Sequence, residues 1–401
     1  MKTRKHYVIV TETYPPEING VALTVRNLAR GLVERGHRVS LVRPRQPGEA
    51  GALSDVPAPA TDIPGLLQYR VHGLRLPRYP GLQFGLPAGG LLHRLWQLDR
   101  PDALYVATEG PLGLSAVSTA RRLGIPAATG LHTRFDEYMR SYGLGALEGL
   151  AFAWMRWFHN RANATLVPTR ALADFVGARG FNNPRVLSRA VDPKRFSPAH
   201  RDDALRASLG LAPQDLAVLY VGRIAAEKNL PLAVASFQAL QKHRPDARFI
   251  WVGDGPQLAS LKAAHPDFIF CGLQQGHALA RHIASCDLFL FPSRSETFGN
   301  VTLEAMASGV ATVAFNEGAA REHLRTGLHG AAVEHDADFM RAACALACDD
   351  AGRRRQGLAA STAMQTLHPG QVAASLDGLL GSLGRHDEQE EVAPCNRYPV
   401  K

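Results

Sequence analysis

Two successive series of short apolar strands, each strand followed by a helical pattern, limit the fold more than any other feature of the sequence. Apolar strands that alternate with helices are typical of parallel sheets covered on both faces. The 401 residues, at about 150 per domain, also favour two domains. The sequence therefore predicts an α/β fold of two doubly wound, Rossmann-like domains. The predicted strands lie at 7–10, 39–42, 103–106, 126–129 and 164–167 in the first series and at 217–221, 248–252, 268–270, 287–291 and 311–314 in the second.

Turn-forming residues near the middle of the chain mark the boundary between the two domains. The segments 182–184 (Asn-Asn-Pro) and 192–193 (Asp-Pro) interrupt any regular element there. The last residues mix charges with two prolines, which predicts a mobile tail. The predicted units are an N-terminal domain at 1–185, a C-terminal domain at 186–369, a helix at about 370–384 that packs back on the N-terminal domain, and a tail at 385–401.

The formal charge of +9 is concentrated in the first half of the chain. Residues 1–185 contain 23 Lys and Arg against 13 Asp and Glu, whereas the remainder contains 22 against 23. A basic half can face nucleic acid, an anionic membrane or a phosphorylated substrate. Zinc-finger spacing, RNP-type aromatic strands and basic helices with heptads are all missing from the sequence, which argues against nucleic acid. An anionic membrane surface is the favoured partner, with a solvated basic face as the alternative.

One apolar segment of the first half is a candidate membrane contact. Residues 74–87 and the following Leu91, Leu92, Leu95 and Trp96 are interleaved with Arg75, Arg78 and Arg94. Such a mixture suits the headgroup boundary of an anionic bilayer, but an ordinary buried helix and loop would give the same letters. No apolar run reaches the ~18 residues of a membrane span, and the N-terminus has no cleavage site. We expect a cytoplasmic protein, with peripheral attachment to the inner face of the plasma membrane if this segment contacts lipid.

The segment 292–309 carries the most specific chemical signal. It follows a buried strand and opens a helix, with Thr297-Phe-Gly-Asn300 at the junction. A helix N-terminus exposes unpaired N–H groups that suit a phosphate, and glycine at 299 permits close backbone approach. Glu296 and Glu304 bracket the turn, where carboxylates can accept hydrogen bonds from sugar hydroxyls. A capping acid at Glu296 and a solvated Glu304 is the alternative interpretation.

The run S-E-T-F-G-N-V-T-L-E-A-M-A-S-G at 295–309 resembles the signature of retaining glycosyltransferase family 4, whose fold is GT-B. Three other segments resemble the family: 12–21 (E-T-Y-P-P-E-I-N-G-V), 221–229 (V-G-R-I-A-A-E-K-N) and 252–256 (V-G-D-G-P). The chain departs from the family's hinge pattern at Ala190, where glycine is usual. In motif it is most similar to the GDP-mannose-dependent alpha-mannosyltransferases and to the sulfoquinovosyl and glycuronosyl diacylglycerol synthases.

This resemblance implies two GT-B domains facing across a cleft, with an acceptor-binding N-terminal domain and a nucleotide-sugar-binding C-terminal domain. The implied reaction moves a hexosyl group from GDP-mannose or a UDP-sugar to an acceptor hydroxyl with retention, giving an alpha-glycoside. A membrane lipid such as diacylglycerol is the expected acceptor. A soluble enzyme for polysaccharide or small-molecule acceptors and a non-catalytic nucleotide-sugar-binding partner protein stay open. An oxidoreductase is disfavoured because no G-x-G-x-x-G follows the first strand.

The resemblance also implies roles for individual residues. Arg223 and Lys228 can stabilise the charge of a leaving diphosphate, although a surface ion pair with Glu227 is the alternative, and His132 occupies the place of the family's active-site histidine. The predicted catalytic residues are His132, Arg223, Lys228 and Glu296. The predicted donor-binding residues are Asn19, Gly20, Gly222, Arg223, Lys228, Glu296, Phe298, Gly299, Asn300, Val301 and Glu304. The predicted acceptor residues are Arg134, Asp136, Tyr79 and Arg189.

Neither a metal nor a cofactor is expected. Asp336-Ala-Asp338 has the D-x-D pattern that holds a metal in other glycosyltransferases, but it directly precedes a helical run and is better explained as helix capping. The expected partners are a nucleotide sugar, a lipid or glycan acceptor and an anionic membrane surface on the N-terminal domain, with no nucleic acid.

Overall fold

The computed structural model describes residues 3–17, 19–46, 49, 58–59, 62–75, 83–132, 148–294 and 296–383. The chain forms two compact units. The N-terminal unit comprises Met1–Thr133, Leu150–Ser188 and Gly370–Lys401, and the C-terminal unit comprises Arg134–Gly149 and Arg189–Pro369. The predicted tail at 385–401 lies outside the described residues.

The N-terminal unit is built on a parallel sheet. Its strands, in the order β10-β9-β8-β7-β1-β2-β4-β3, are all parallel except for the pair β3–β4. Two further short strands, β5 and β6, form a separate antiparallel pair. In chain order its described elements are β1 (His6–Val10), α1 (Gly20–Glu34), β2 (Arg38–Pro44), β3 (Ala58–Pro59), β4 (Leu66–Val71), β5 (Gly73–Arg75), β6 (Gln83–Gly85), α2 (Gly89–Leu98), β7 (Ala103–Val106), α3 (Pro111–Arg122), β8 (Ala127–Gly130), α4 (Glu148–His159), β9 (Ala164–Val167), α5 (Arg170–Gly177) and β10 (Pro184–Val186).

Both faces of this sheet are covered, as its apolar strands require. Tyr7 and Ile9 of β1 pack with α1 on one face, and Val8 and Val10 pack with α2 and α3 on the other. The strand order runs outward from β1 in both directions, through β2 on one side and β7 on the other. The unit is therefore doubly wound, with its switch point between β1 and β7.

The C-terminal unit repeats this plan with a parallel sheet in the order β13-β12-β11-β14-β15-β16. Its switch point lies between β11 and β14, which pair in register at Val218 with Leu288 and at Leu219 with Phe289. In chain order its elements are α6 (Asp203–Ser208), β11 (Leu216–Val221), α7 (Leu230–Gln241), β12 (Ala247–Val252), α8 (Leu258–Ala264), β13 (Ile269–Gly272), α9 (Gly276–Ala284), β14 (Leu288–Phe291), α10 (Asn300–Ala307), β15 (Ala311–Phe315), α11 (Gly318–His323), β16 (Gly330–Val333), α12 (Asp336–Cys348) and α13 (Asp350–Met364). The predicted fold class of two doubly wound α/β domains is confirmed.

The C-terminal helix α14 (Pro369–Leu383) packs within the N-terminal unit. Leu376, Leu380 and Leu383 join the apolar cluster that contains β1 and α1. Helix α1 approaches α14 closely at Gly31, where the lack of a side chain is needed: a Cβ there would lie only 2.4 Å from the Cβ of Ala373. The chain therefore returns to its first domain after completing the second.

A partly buried carboxylate fixes α14 on this unit. Asp377 accepts hydrogen bonds from the hydroxyl of Tyr7 at 2.9 Å and from the guanidinium of Arg35 at 2.8 Å. Burial raises the pKa of Asp377, but the hydrogen bonds from Arg35 and Tyr7 outweigh burial and hold that pKa below its usual value. The ionised carboxylate therefore stabilises the docked helix.

Six strands and one helix correct the sequence-based expectations. Strands β3, β4, β5, β6 and β16 were not predicted, and β10 lies where the segment 182–184 was expected to interrupt regular structure. Because Pro184 is the first residue of an edge strand, its missing N–H is tolerated. In α2, Leu92 and Trp96 are buried in the core, so for these two residues the membrane interpretation is wrong and the alternative of a buried helix is confirmed. Residues 76–82 of the same candidate segment lie outside the described residues. None of the described helices is long and apolar enough to cross a membrane.

We predict that Asp377→Ala lowers the free energy of unfolding by about 3 kcal/mol at pH 7, because Arg35 is left with a partly buried, unpaired charge. A carboxyl whose folded-state pKa is lowered stabilises the fold above its unfolded pKa of about 3.9, and this contribution is lost as the pH falls through the folded pKa. The difference from wild type should therefore shrink below pH ~4. Urea unfolding followed by circular dichroism measures this difference in unfolding free energy. Ser375→Ala, at an exposed position of the same helix, is the control.

Candidate active site

The loop after β11 carries two cations at the carboxyl edge of the C-terminal sheet. Arg223 follows the strand, and Lys228 ends a short 3-10 turn. The buried hydroxyl of Tyr220 donates to the carbonyl oxygen of Arg223 at 2.9 Å and fixes the start of the loop. The guanidinium of Arg223 lies 3.2 Å from the carboxylate of Glu227. The predicted alternative ion pair is thus present, and it orients Arg223.

The neighbouring loop after β12 is hydrogen-bonded to the loop after β11. The N–H of Gly222 donates to the carbonyl of Val252 at 3.1 Å, and the N–H of Ile224 donates to that of Asp254 at 2.9 Å. Gly253, with φ of 145°, permits this approach, because a Cβ at that position would lie 1.9 Å from the oxygen of Gly222. The two hydrogen bonds therefore join the loops, and Gly253 permits the close approach that they require.

The loop after β14 brings a carboxylate to Lys228. Glu296 Oε1 accepts a hydrogen bond from Lys228 Nζ at 2.5 Å and another from Ser293 Oγ at 2.8 Å. The side chains of Lys228 and Glu296 are 17% and 19% exposed, so the pair is largely shielded but open to a ligand. Two predicted catalytic residues 68 positions apart thus meet, because β11 and β14 are adjacent parallel strands.

Helix α10 begins beside this pair without a side-chain cap. Its N-cap is Gly299 in the left-handed region, with φ of 83°, and its first turn contains no acidic residue. A Cβ at Gly318 would lie 2.3 Å from the carbonyl oxygen of Phe298, which accepts a hydrogen bond from the N–H of Ala319 at 2.6 Å. The junction is therefore fixed, while the N–H groups that open the helix are available to an anion.

Asn300 and Glu304 lie one turn apart on the partly exposed face of α10, with Val301 beside them. Burial raises the pKa of Glu304 to about 7, although Arg195 lowers it. Within the described residues, no hydrogen bond to this carboxylate is found. Glu304 is therefore a carboxylate with unused acceptor capacity near the start of the helix.

The predicted histidine lies at the carboxyl edge of the N-terminal sheet. His132 follows β8, and its Nε2 lies 2.7 Å from the hydroxyl of Tyr105, with the donor set by the histidine tautomer. Gly130 leaves room for this pair, because a Cβ there would lie 2.3 Å from the tyrosine hydroxyl. The side chain of His132 is only partly buried.

Two carboxylates at this edge were not identified in the sequence. Glu12, after β1, accepts from the N–H of Leu112 at 2.9 Å and thereby caps α3, while burial raises the pKa of Glu12 to about 7. Glu109, after β7, lies 3.2 Å from His159 Nε2. The position of each acid within three residues of the end of an apolar strand is the signal that could have revealed it. His159 belongs to α4 and carried no comparable signal.

The opening loop uses its predicted residue for its own structure. Asn19 is the N-cap of α1, where its Oδ1 accepts from the N–H of Ala22 at 2.8 Å and its Nδ2 donates to Thr13 Oγ1 at 2.6 Å. Thr13 in turn donates to Glu17 at 2.5 Å. The side chain of Asn19 is thus committed, so a contact with a donor at this loop would come from the backbone around Gly20.

The remaining predicted site residues include two with buried side chains and three outside the described residues. The side chain of Phe298 is in the core of the C-terminal unit, which leaves only its backbone for a donor contact. Arg189 is buried at the start of the same unit. Tyr79, Arg134 and Asp136 lie outside the described residues.

The D-x-D acids also differ in detail from the prediction of a helix cap. Asp336 and Asp338 stand in the first turn of α12, just inside its N-cap, His335. There they complement the helix dipole, and they pair with Arg294 and Arg341. No cluster of three or more metal-ligating side chains was found among the residues that the structure describes.

Two doubly wound units, one of which places cations, a carboxylate and an open helix start at its switch point, define a glycosyltransferase that takes a hexosyl group from a nucleotide sugar. The chain matches the family described as Glycosyltransferase Family 4 over residues 18–195 and that described as Glycosyl transferases group 1 over residues 215–349. It belongs to glycosyltransferase family 4, as its motifs predicted.

Similar proteins support this assignment over most of the chain. The GDP-mannose-dependent alpha-mannosyltransferase of Mycolicibacterium smegmatis is 32% identical, covering 88% of this chain and 90% of that protein. The alpha-monoglucosyldiacylglycerol synthase of Streptococcus pneumoniae is 25% identical, covering 76% and 70%. The solved structure of sucrose-phosphate synthase from Thermosynechococcus elongatus aligns with a TM-score of 0.76 at 16% identity, covering 96% of this chain and 100% of that one, and shares the fold.

We predict that Gly253→Ala destabilises the C-terminal unit by about 2–3 kcal/mol, because the new Cβ collides with backbone and the backbone conformation is unfavourable. Thermal unfolding measures the loss. Gly276→Ala is the matched control, since Gly276 also has a positive φ but a Cβ there would meet nothing within 4 Å. Equal losses in the two variants would contradict a tight contact between the loops.

Proposed function

We propose that the protein transfers mannose from GDP-mannose to a hydroxyl group of a membrane lipid such as diacylglycerol, with retention at the anomeric carbon. The carrying observation is the contact of Lys228 with Glu296 beside the uncapped start of α10. The donor proposal draws on the similarity to an enzyme named as GDP-mannose-dependent. The acceptor proposal draws on the similarity to a diacylglycerol glycoside synthase.

In this proposal, Lys228 and the start of α10 bind the diphosphate. The ammonium group of Lys228 has three N–H donors, so it can keep its hydrogen bond to Glu296 and donate another to a phosphate oxygen. Glu296 and Ser293 hold the ammonium in position. Arg223 adds a second positive charge from the same loop. These groups stabilise the negative charge that develops as the diphosphate leaves.

The proposed chemistry needs no protein nucleophile. The bond between the anomeric carbon and the phosphate oxygen breaks, and the acceptor oxygen bonds to the same face of that carbon. The proton of the acceptor hydroxyl passes to the departing phosphate oxygen, so atoms and charge balance. Catalysis then consists of charge stabilisation and positioning. We propose that it requires neither a metal nor another cofactor.

The other residues position the donor. We propose that His132 contacts the sugar, with Tyr105 fixing its ring through the 2.7 Å contact. Glu304 would accept hydrogen bonds from the ribose hydroxyls, for which it has unused acceptor capacity. The backbone N–H groups near Asn300 would bind phosphate oxygens. An anionic membrane surface would present the lipid acceptor to the N-terminal domain.

A donor screen tests the proposal. We expect GDP-mannose to raise the unfolding temperature more than UDP-glucose does, because the donor with the lower Kd stabilises the folded protein more at equal concentration. A ligand at 100 times its Kd stabilises a protein by ~2.7 kcal/mol. Incubation with GDP-mannose and diacylglycerol vesicles should yield an alpha-mannosyl lipid, detected by mass spectrometry and NMR. Stabilisation by UDP-sugars alone would show that the donor is a UDP-sugar and not GDP-mannose. Transfer to soluble glycans alone would replace the acceptor, and binding without any transfer or donor hydrolysis would indicate a non-catalytic protein.

We predict that Lys228→Ala lowers kcat by ~100-fold or more, the scale of losing one oxyanion donor. The reason is that the developing charge on the diphosphate loses its nearest ammonium group. Steady-state kinetics with purified, folded protein measures the effect. Lys242→Ala, which removes an exposed lysine of the same unit, is the control and should retain wild-type turnover. Unchanged turnover in Lys228→Ala would remove this residue from the mechanism.

A further inference from the structure

Helix α4 carries an exposed apolar stripe on the N-terminal unit. Leu150, Trp154 and Trp157 recur at i, i+4 and i+7 and therefore lie on one face. The two tryptophans are 43% and 46% exposed. The opposite face is buried through Met155 and Phe158. The helix is thus anchored in its own domain while it presents two large aromatic rings to solvent.

The two tryptophans form one continuous aromatic surface. The rings of Trp154 and Trp157 stack with their centroids 5.1 Å apart. The guanidinium of Arg161 lies over the ring of Trp157, 4.5 Å from its centroid. Aromatic rings of this kind combine an apolar body with a polar N–H, which is why tryptophan is enriched where apolar and wet regions meet.

Arginines lie beside this surface. Residues 148–185 contain five arginines and two acids. Arg156 lies on the exposed side of α4, and its guanidinium donates to the carbonyl of Arg179 at 3.4 Å. Arg179 in turn lies over the ring of Phe175, 3.6 Å from its centroid. Guanidinium groups beside exposed indoles match a surface that combines phosphates with hydrocarbon.

We propose that this surface, formed by Leu150, Trp154, Arg156, Trp157 and Arg161 and here called the α4 face, docks on the headgroup region of an anionic lipid bilayer. The tryptophans enter the boundary between headgroups and acyl chains, and the arginines bind lipid phosphates. The inference rests on the proposed function, because a lipid acceptor has to be reached at the membrane. It moves the membrane contact from α2, whose Leu92 and Trp96 are buried, to α4.

The distribution of tryptophans makes the docking directly measurable. The sequence has four, and the other two, Trp96 and Trp251, are buried. Bromine-labelled acyl chains should therefore quench only the fluorescence of the α4 face. We expect quenching with vesicles of phosphatidylcholine and phosphatidylglycerol, weak quenching with phosphatidylcholine alone, and no added quenching in a Trp154→Phe, Trp157→Phe variant.

Flotation of the same vesicles measures affinity. Trp154→Ala with Trp157→Ala should lower the partition coefficient at least ~10-fold, given the apolar area removed. Arg156→Gln should lower it roughly fivefold, and the effect should fade in high salt. Leu358→Ala and Arg122→Gln, exposed positions outside the α4 face, are the matched controls and should float like wild type.

Several outcomes would overturn the inference. Wild-type protein that fails to float, or that floats equally well after the double tryptophan change, excludes the α4 face as the lipid contact. Acrylamide that cannot quench the tryptophans of wild type would show that another part of the chain covers them in solution. A dimer that dissociates in the double variant, with no vesicle binding, would assign the surface to self-association.

Activity assays separate this inference from the proposed function. If both hold, the double tryptophan variant loses transfer to diacylglycerol in vesicles but keeps transfer to the same lipid dispersed in detergent. Loss of both activities in a folded variant contradicts a docking role for the α4 face. Wild-type protein that binds vesicles but transfers no sugar refutes the proposed function and leaves the docking intact. The arginine variant keeps the test decisive if the double tryptophan variant does not fold.

Discussion

The parallel pairing of β11 with β14 is the constraint on which the candidate active site depends. Adjacent parallel strands end at one edge of the sheet, and at a switch point their loops diverge to opposite faces and leave a crevice. Lys228 lies on the loop after β11 and Glu296 on the loop after β14, and their 2.5 Å contact joins the two loops. A shift of one residue in the register between Leu219 and Phe289 would displace one loop along the strand axis and separate the pair.

Around this pair, local backbone preferences give way to the needs of the site. The turn before α7 ends at Asn229 in the left-handed region, with φ of 52°, and α10 opens at Gly299 without a side-chain cap. Either feature costs stability in an ordinary helix. Neighbouring residues stabilise both features. Tyr220 donates a hydrogen bond to the first loop, and Gly253 and Gly318 allow other backbone segments to pack closely against the first and the second loop. Departures of this kind concentrate where a site must keep polar groups unpaired until a ligand arrives.

The sequence was most informative where chemistry and geometry coincide within one segment. The strands at 103–106 and 164–167 were predicted with their observed bounds, since short runs of mostly apolar residues between turns have few alternatives. The contact of Lys228 with Glu296 could not be predicted from spacing alone, because it depends on the strand order. Likewise, the position of Glu109 shortly after an apolar strand could mark the acid, but its contact with His159 depends on how β7 and α4 pack. Long-range pairing, rather than local pattern, decides such contacts.

Helices α2 and α4 show why composition alone cannot separate a core from a docking surface. Both combine leucine, tryptophan and arginine within ten to twelve residues. In α2, Leu92 and Trp96 are one turn apart and turn inward, so that its arginine faces water. In α4 the inward face is already filled by Met155 and Phe158, so its tryptophans are left outside. A helix that has met its packing requirement and still exposes stacked indoles beside guanidinium groups has apolar area left for a partner to bury.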